Sequence, residues 1–231
     1  MKNLDQYILE SLKGYKPSTL KSKEQLPKDC TRYFVNQILD VDDIENLDTS
    51  MVDDMYYMFG GSKFSSDSLD LSGWDVSNVT NMMGLFSDAD QKIDNNLEYI
   101  DLSNWDTHKL KYINNMFACD TNLKMVDLSG WDTSDIRSTV NMFKGCFNLT
   151  NIIFGPGWGT WDFDSVGFSI CDCGRDKGYR LSDETWESML TMYDRKAAGL
   201  GTAPIMLHNN HNIPDGWKKK MSDKGYIVYD N

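Results

Sequence analysis

The residues best suited to chemistry are acids that recur at fixed positions. Asp70, Asp101 and Asp127 each lie four residues before a tryptophan (Trp74, Trp105, Trp131). Asp75, Asp106 and Asp132 directly follow those tryptophans, and Asp48 follows Leu47 in a weaker copy. Acids in such numbers could bind calcium. An acid between a strand and a helix more commonly accepts bonds from the free N–H groups of the helix start or of the turn, and the second set is read that way. The first set differs, because neighbouring strands would stack its carboxylates about 5 Å apart. Like charges so aligned repel. Asp70, Asp101 and Asp127 are therefore read as a solvated acidic face bridged by lysines, or as the docking row for a basic protein surface or a cation.

Other constellations are weaker. Trp74, Trp105 and Trp131 could form an aromatic ladder for sugars, but a fixed place between strand and helix favours packing at a core corner. Cys171-x-Cys173 and His208-x-x-His211 are ligand types that zinc takes, at spacings that fit no standard finger. Cys119 and Cys146 follow the repeat phenylalanine closely and read as small buried thiols. The chain has three histidines and no Gly-rich phosphate loop, GxSxG elbow or HExxH. The expectation is a protein that is not an enzyme, with no cofactor and no metal.

The elements that must hold these residues repeat. Residues 69–86 read LDLSGWDVSNVTNMMGLF, and related copies occupy 100–117 and 126–143, with a degenerate one at 47–59. Their last phenylalanines, Phe59, Phe86, Phe117 and Phe143, are spaced by 27, 31 and 26 residues, a period that means stacked supersecondary units. The alternation in Leu-Asp-Leu-Ser predicts a short strand with Leu69 and Leu71, Ile100 and Leu102, and Val126 and Leu128 inward. Apolar residues then recur at offsets five, eight, eleven and twelve from the Trp or Leu, as in Val79, Met82, Leu85 and Phe86, which predicts one buried helical face. The third copy has Thr139 at offset eight and Val140 beside it, so its helix is expected to be irregular. Asn96-Leu97, Asn122-Leu123 and Asn148-Leu149 mark the connectors, and residues 87–95 a surface loop. One such unit cannot close a core alone, so stability comes from neighbour interfaces.

The run D-L-S-x-W-D-[TV]-S followed by M-F resembles the BspA-like class of leucine-rich repeats, also found in mycoplasma lipoproteins. The resemblance covers residues 47–154. It implies an α/β, leucine-rich-repeat-like solenoid of strand–helix units with N- and C-terminal caps, presenting a surface to a partner. The expected organisation is a leader helix and linker (1–30), an N-terminal cap (31–46), the repeats (47–154), and a degenerate repeat with an α/β cap (155–231). In that last part a helix is expected over 181–197 with Ser182 as N-cap, then a strand over 204–207, a helix over 215–223 and a strand over 226–229.

The net charge is −12, and −9 of it falls within residues 47–154. A nucleic-acid ligand is disfavoured, since phosphate contacts need a basic face. No run of 18 apolar residues offers a membrane span. Residues 1–16 lack the apolar core of a secretory signal, unlike exported BspA-like proteins. Leu4, Ile8 and Leu12 instead form an amphipathic stripe, and Ile8-Leu9-Glu10-Ser11 resembles the leaders of tailed-phage head proteins. The C-terminal region resembles caps of repeat proteins from Bacteroidales and their phages. These resemblances imply a protein-binding or structural component of a phage virion, or of the infected cell's cytoplasm. The alternative is a surface adhesin for host protein or glycan, and the oligomeric state stays open. Leu102→Ala is expected to lower stability by about 2–5 kcal/mol through lost contact and a residual cavity. An unchanged denaturation midpoint would contradict the inward assignment.

Overall fold

The computed structural model describes residues 24–89, 95–161, 168–169, 173, 180–207 and 212–230. The expected leader helix (3–12) and most of the linker lie outside them. In chain order the elements begin with β1 (Ile38–Leu39), α1 (Val41–Glu45) and β2 (Lys63–Phe64). They continue with β3 (Ser68–Asp70), β4 (Tyr99–Asp101), β5 (Met125–Leu128) and β6 (Asn151–Phe154). The last are β7 (Phe168–Ser169), α2 (Asp183–Met189), β8 (Ala203–Met206), α3 (Trp217–Asp223) and β9 (Tyr226–Tyr229).

Strands β3 to β6 form one parallel sheet in sequence order, so each repeat lays its strand beside the previous one. The register pairs Leu69 with Ile100 and Ile100 with Val126, and all three are buried together with Leu71, Leu102 and Leu128. This wall matches the alternation in the sequence. The molecule is a repeat solenoid with a single continuous core running from Leu26 to Tyr226.

The opposite wall corrects the sequence reading. No helix forms over 79–86, 110–117 or 136–143; these segments are successive four-residue turns. Leu85 N–H donates to Met82 O, Met116 N–H to Ile113 O, and Met142 N–H to Thr139 O. The third residue of each turn has positive φ: Tyr57 (51°), Gly84 (66°), Asn115 (55°) and Asn141 (57°). A second left-handed residue follows four positions later at Gly61, Cys119 and Gly145. Positive φ in that third place is what a type II turn requires, and it is incompatible with a continuing right-handed helix. The remaining amides turn outward along the solenoid axis. Met82, Gly84, Phe86 and Asp88 donate to the carbonyls of Tyr112, Asn114, Met116 and Ala118 in the next coil, at 2.8 to 2.9 Å. Alternate amides thus close turns within a coil and tie it to its neighbour.

The turn geometry also explains the helix-like spacing. The first and last residues of a turn, such as Ile113 and Met116, both point inward, and Phe117 opens the next turn, its carbonyl accepting Asp120 N–H. In the third copy Thr139 takes the inward slot and Val140 is 58% exposed. The phenylalanines stack along the axis: Phe34, Phe59, Phe86, Phe117 and Phe143 have successive ring centroids 5.6 Å apart. That separation lies in the range where offset-stacked rings attract. Phe34 belongs to the series because residues 24–46 carry the same ladder, with Cys30, Arg32 and Phe34 donating to Asp54, Tyr56 and Met58.

At the other end, α2 seals the edge of β6 with side chains instead of another strand. Thr185 Oγ1 accepts from Ile152 N–H and donates to Thr150 O, and Ser188 Oγ accepts from Phe154 N–H. Ser182 caps α2 as expected, accepting from Thr185 N–H at 3.1 Å. The helix stops at Met189, well short of the expected 197, because the following backbone is claimed by the last coil. Tyr193 N–H donates to Trp158 O, and buried Arg195 donates to the carbonyls of Gly159, Trp161 and Gly201. Strands β7, β8 and β9 form a second parallel sheet, with α2 between the first two and α3 between the last two.

At Gly84 both conformation and space exclude a side chain, since a Cβ there would lie 2.3 to 2.7 Å from ring atoms of Tyr57. Gly84→Ala is expected to destabilise by more than the roughly 1 kcal/mol that a side chain at positive φ incurs. Tyr57→Ala in the same chain should reduce that penalty, whereas Asn115→Gly should be near neutral. Urea denaturation of wild type, the Gly84 and Tyr57 single variants, their double variant and Asn115→Gly decides, and additive effects of the Gly84 and Tyr57 changes would contradict the packing.

Candidate functional site

The acidic row exists and faces outward. Residues Asp70, Asp101 and Asp127 are in direct register on β3, β4 and β5, while Ile153 takes the position on β6. Asp70 and Asp101 are exposed and Asp127 half-buried. One oxygen of each is occupied: Oδ1 accepts the N–H of Ser72 (2.9 Å), Ser103 (2.9 Å) and Ser129 (2.8 Å) respectively. The Ser72 hydroxyl and then its N–H hold the Asp70 carboxyl below the ordinary carboxylate range. Among the described residues the ion pairs lie elsewhere, so the expected bridging lysines are not seen on this row.

Neighbouring groups shape the face. Glu45 Oε1 accepts Asp70 N–H at 2.9 Å, taking the place that a preceding strand would fill. An open depression of about 420 Å³ runs between Glu45, Asp70, Tyr99, Asp101, Asn104 and Met125. Tyr99 is 46% exposed at its centre. Lys124 pairs with Glu98 and sits 5.9 Å from the Tyr99 ring centroid, flanking the row without neutralising it.

The other candidates resolve into structure. Asp48, Asp75, Asp106 and Asp132 each accept the N–H two residues ahead, from Ser50, Ser77, His108 and Ser134. They stabilise turns, since no helix follows them. His108 Nδ1 lies 2.7 Å from Asp106 Oδ1, and the ring's bond holds that carboxyl down. The tryptophans are buried, and Trp74, Trp105 and Trp131 donate Nε1–H to Ile44, Leu71 and Leu102 carbonyls of the preceding coil. No ring face is open to a sugar. Cys146 is buried and donates to Phe117 O at 2.9 Å, but Cys119 occupies a left-handed turn position, so the two thiols are not equivalent. Of the Cys/His set only Cys173 is described, buried and 3.6 Å from Phe143 O. Among the described residues no group of three or more His, Cys, Asp or Glu is arranged to hold a metal ion.

One polar cluster escaped sequence reading. Asp88 and Asp120 are buried on adjacent coils, and Asp120 accepts from Asn95 Nδ2 at 3.1 Å and from Leu123 N–H at 3.3 Å. Burial, and then the charge of Asp88, push the Asp120 carboxyl well above the ordinary range. The only sequence signal was an acid in a slot held by Ser62 and Cys146 in other coils.

The fold and site define a parallel repeat-solenoid protein with an acidic sheet face. Residues 94–168 match the family described as Mycoplasma protein of unknown function, DUF285, so this stretch is similar to a mycoplasma-type repeat family. Neither a curated protein nor a solved structure matches the chain. Among the described residues no helix is long and apolar enough to cross a membrane.

The Asp120 shift has a definite sign. An acid whose folded pKa is raised binds an extra proton in the folded state, so its effect on stability worsens as pH rises from the ordinary carboxylate value towards the raised one. Wild-type unfolding free energy should therefore decline over that window, and Asp120→Asn should flatten the decline. Equal slopes in urea titrations across pH would contradict a protonated Asp120.

Proposed function

We propose that this protein is a non-catalytic, BspA-like repeat scaffold that binds a basic protein surface through the sheet face of Asp70, Asp101 and Asp127. Its setting is a phage virion, or the infected bacterium's cytoplasm as a phage-associated component. The observation that carries the binding reading is a register-aligned row of carboxylates that, among the described residues, forms no ion pair. Stacking like charges lowers stability, so the row is best understood as serving something outside the fold. The concentration of negative charge in residues 47–154 supports a protein over a nucleic acid as partner. The phage setting rests on the leader-like Ile8-Leu9-Glu10 motif and the resemblance of the C-terminal region.

The test is capture of the partner by the full chain and by the triple variant Asp70→Asn, Asp101→Asn, Asp127→Asn. Neutralising the row should weaken binding and flatten its salt dependence, because screened charge pairs across an interface are removed. Equal affinity and equal salt response would reduce the row to a solvated surface. Mass spectrometry of purified virions tests the setting. Recovery from a cell-surface fraction bound to host protein or glycan, and not from virions, would replace it with the adhesin reading.

A further inference from the structure

A second depression, of about 330 Å³, lies in the C-terminal part of the chain between α2 and the start of α3. One wall is a single stripe of α2 and its C-cap: Asp183, Trp186, Glu187 and Leu190. Residues three and four apart share a helix face, which is why these side chains line it together. Pro214, Asp215 and Lys220 form the opposite wall, and Trp217 packs against Trp186 with ring centroids 5.0 Å apart. The cleft is thus apolar at its floor and charged at its rim, where three carboxylates face one ammonium. Among the described residues none of those four rim groups forms an ion pair, and nearby Lys218 and Lys219 are engaged by Asp230 and Asp223. One buried donor at this cleft also lacks an acceptor. Trp74, Trp105, Trp131 and Trp217 each donate Nε1–H to a backbone carbonyl. Trp186 is only 1% exposed, and its Nε1–H has no such partner. A buried N–H left unmade carries its full desolvation penalty, so an acceptor brought to it is favoured.

We propose that this cleft takes an arginine-bearing peptide segment of a partner protein, with a peptide carbonyl of that segment accepting from Trp186 Nε1–H. The arginine stem lies against half-buried Leu190 and exposed Pro214, as long basic side chains cover apolar surface while the head stays polar. Its guanidinium sits between Glu187 on one wall and Asp215 on the other, both exposed and both acceptors only. A planar fork with five donors suits two carboxylates better than a point charge does. The rim excess of carboxylate repels an acidic segment. The cleft volume accommodates a side chain and its peptide units, not a folded surface. The inference uses none of Asp70, Asp101 and Asp127 and stands whether or not that row binds anything.

The test is an NMR titration of the full chain with a blocked peptide of three Gly-Arg repeats at low salt. The readout is the indole N–H resonance of Trp186, assigned through its own backbone amide among the seven tryptophans. Binding should displace that resonance downfield and saturably, as a new hydrogen bond to a carbonyl does. The double variant Glu187→Gln, Asp215→Asn changes two exposed side chains and should weaken the peptide about five-fold, as loss of two partly screened charge contacts does. The triple variant Asp70→Asn, Asp101→Asn, Asp127→Asn removes more charge from another face and should titrate as wild type. Absence of a saturable displacement overturns the inference. So does a triple variant weakened as much as the double one, because attraction to the acidic chain as a whole would then explain the binding. A Gly-Glu peptide that moves the same resonance equally also overturns it. Partner capture by the triple variant bears only on the proposed function and leaves this titration unaffected.

Discussion

Along one wall of the solenoid, every second amide donates to a carbonyl of the following coil, and the other architectural features depend on that division. Amides between these donors close turns within the coil, so nearly every polar backbone group on this wall is used. Leaving such groups buried and unmade would cost far more than any single contact returns. The arrangement uses left-handed residues, in most coils four apart, and the chain supplies glycine, asparagine and, at strained positions, Arg32, Tyr57 and Cys119. It also sets coils at the close separation that brings phenylalanine rings to 5.6 Å.

Parallel registration has opposite consequences for different side chains. It places like upon like, which favours Phe upon Phe and Trp105 upon Trp131, and it lets the indole N–H groups of Trp74, Trp105 and Trp131 each find a carbonyl of the preceding coil. The same register stacks Asp70, Asp101 and Asp127, where repetition is unfavourable. The Ser72, Ser103 and Ser129 amides relieve part of the repulsion by each binding one oxygen. The register leaves these acids on the outer side of the strands, so the sheet face, and not the turn wall, is the candidate for recognition.

Much of this was legible in the sequence. Alternation in Leu-Asp-Leu-Ser located β3, β4 and β5 and the outward acids, and the terminal strand Tyr226–Tyr229 was bounded as observed. The helical wall was misread because a turn whose first and last residues point inward leaves apolar residues three apart, as a helix does. A corrective signal was present in the column Gly84, Asn115 and Asn141, since Gly and Asn are the residues that best tolerate positive φ. The overlong helix at 181–197 reflects tertiary competition invisible to periodicity: Trp158 and Arg195 contacts redirect the chain. The buried Asp120 had no local pattern to announce it.

The central claim is that coils are joined through the amides of the turn wall, and NMR couplings transmitted across hydrogen bonds test it most directly. The account predicts couplings from the Phe86 amide nitrogen to the Met116 carbonyl carbon, and from Phe117 to Met142. Couplings from Phe86 to Met82 and from Phe117 to Ile113 would instead report continuous helices and contradict it.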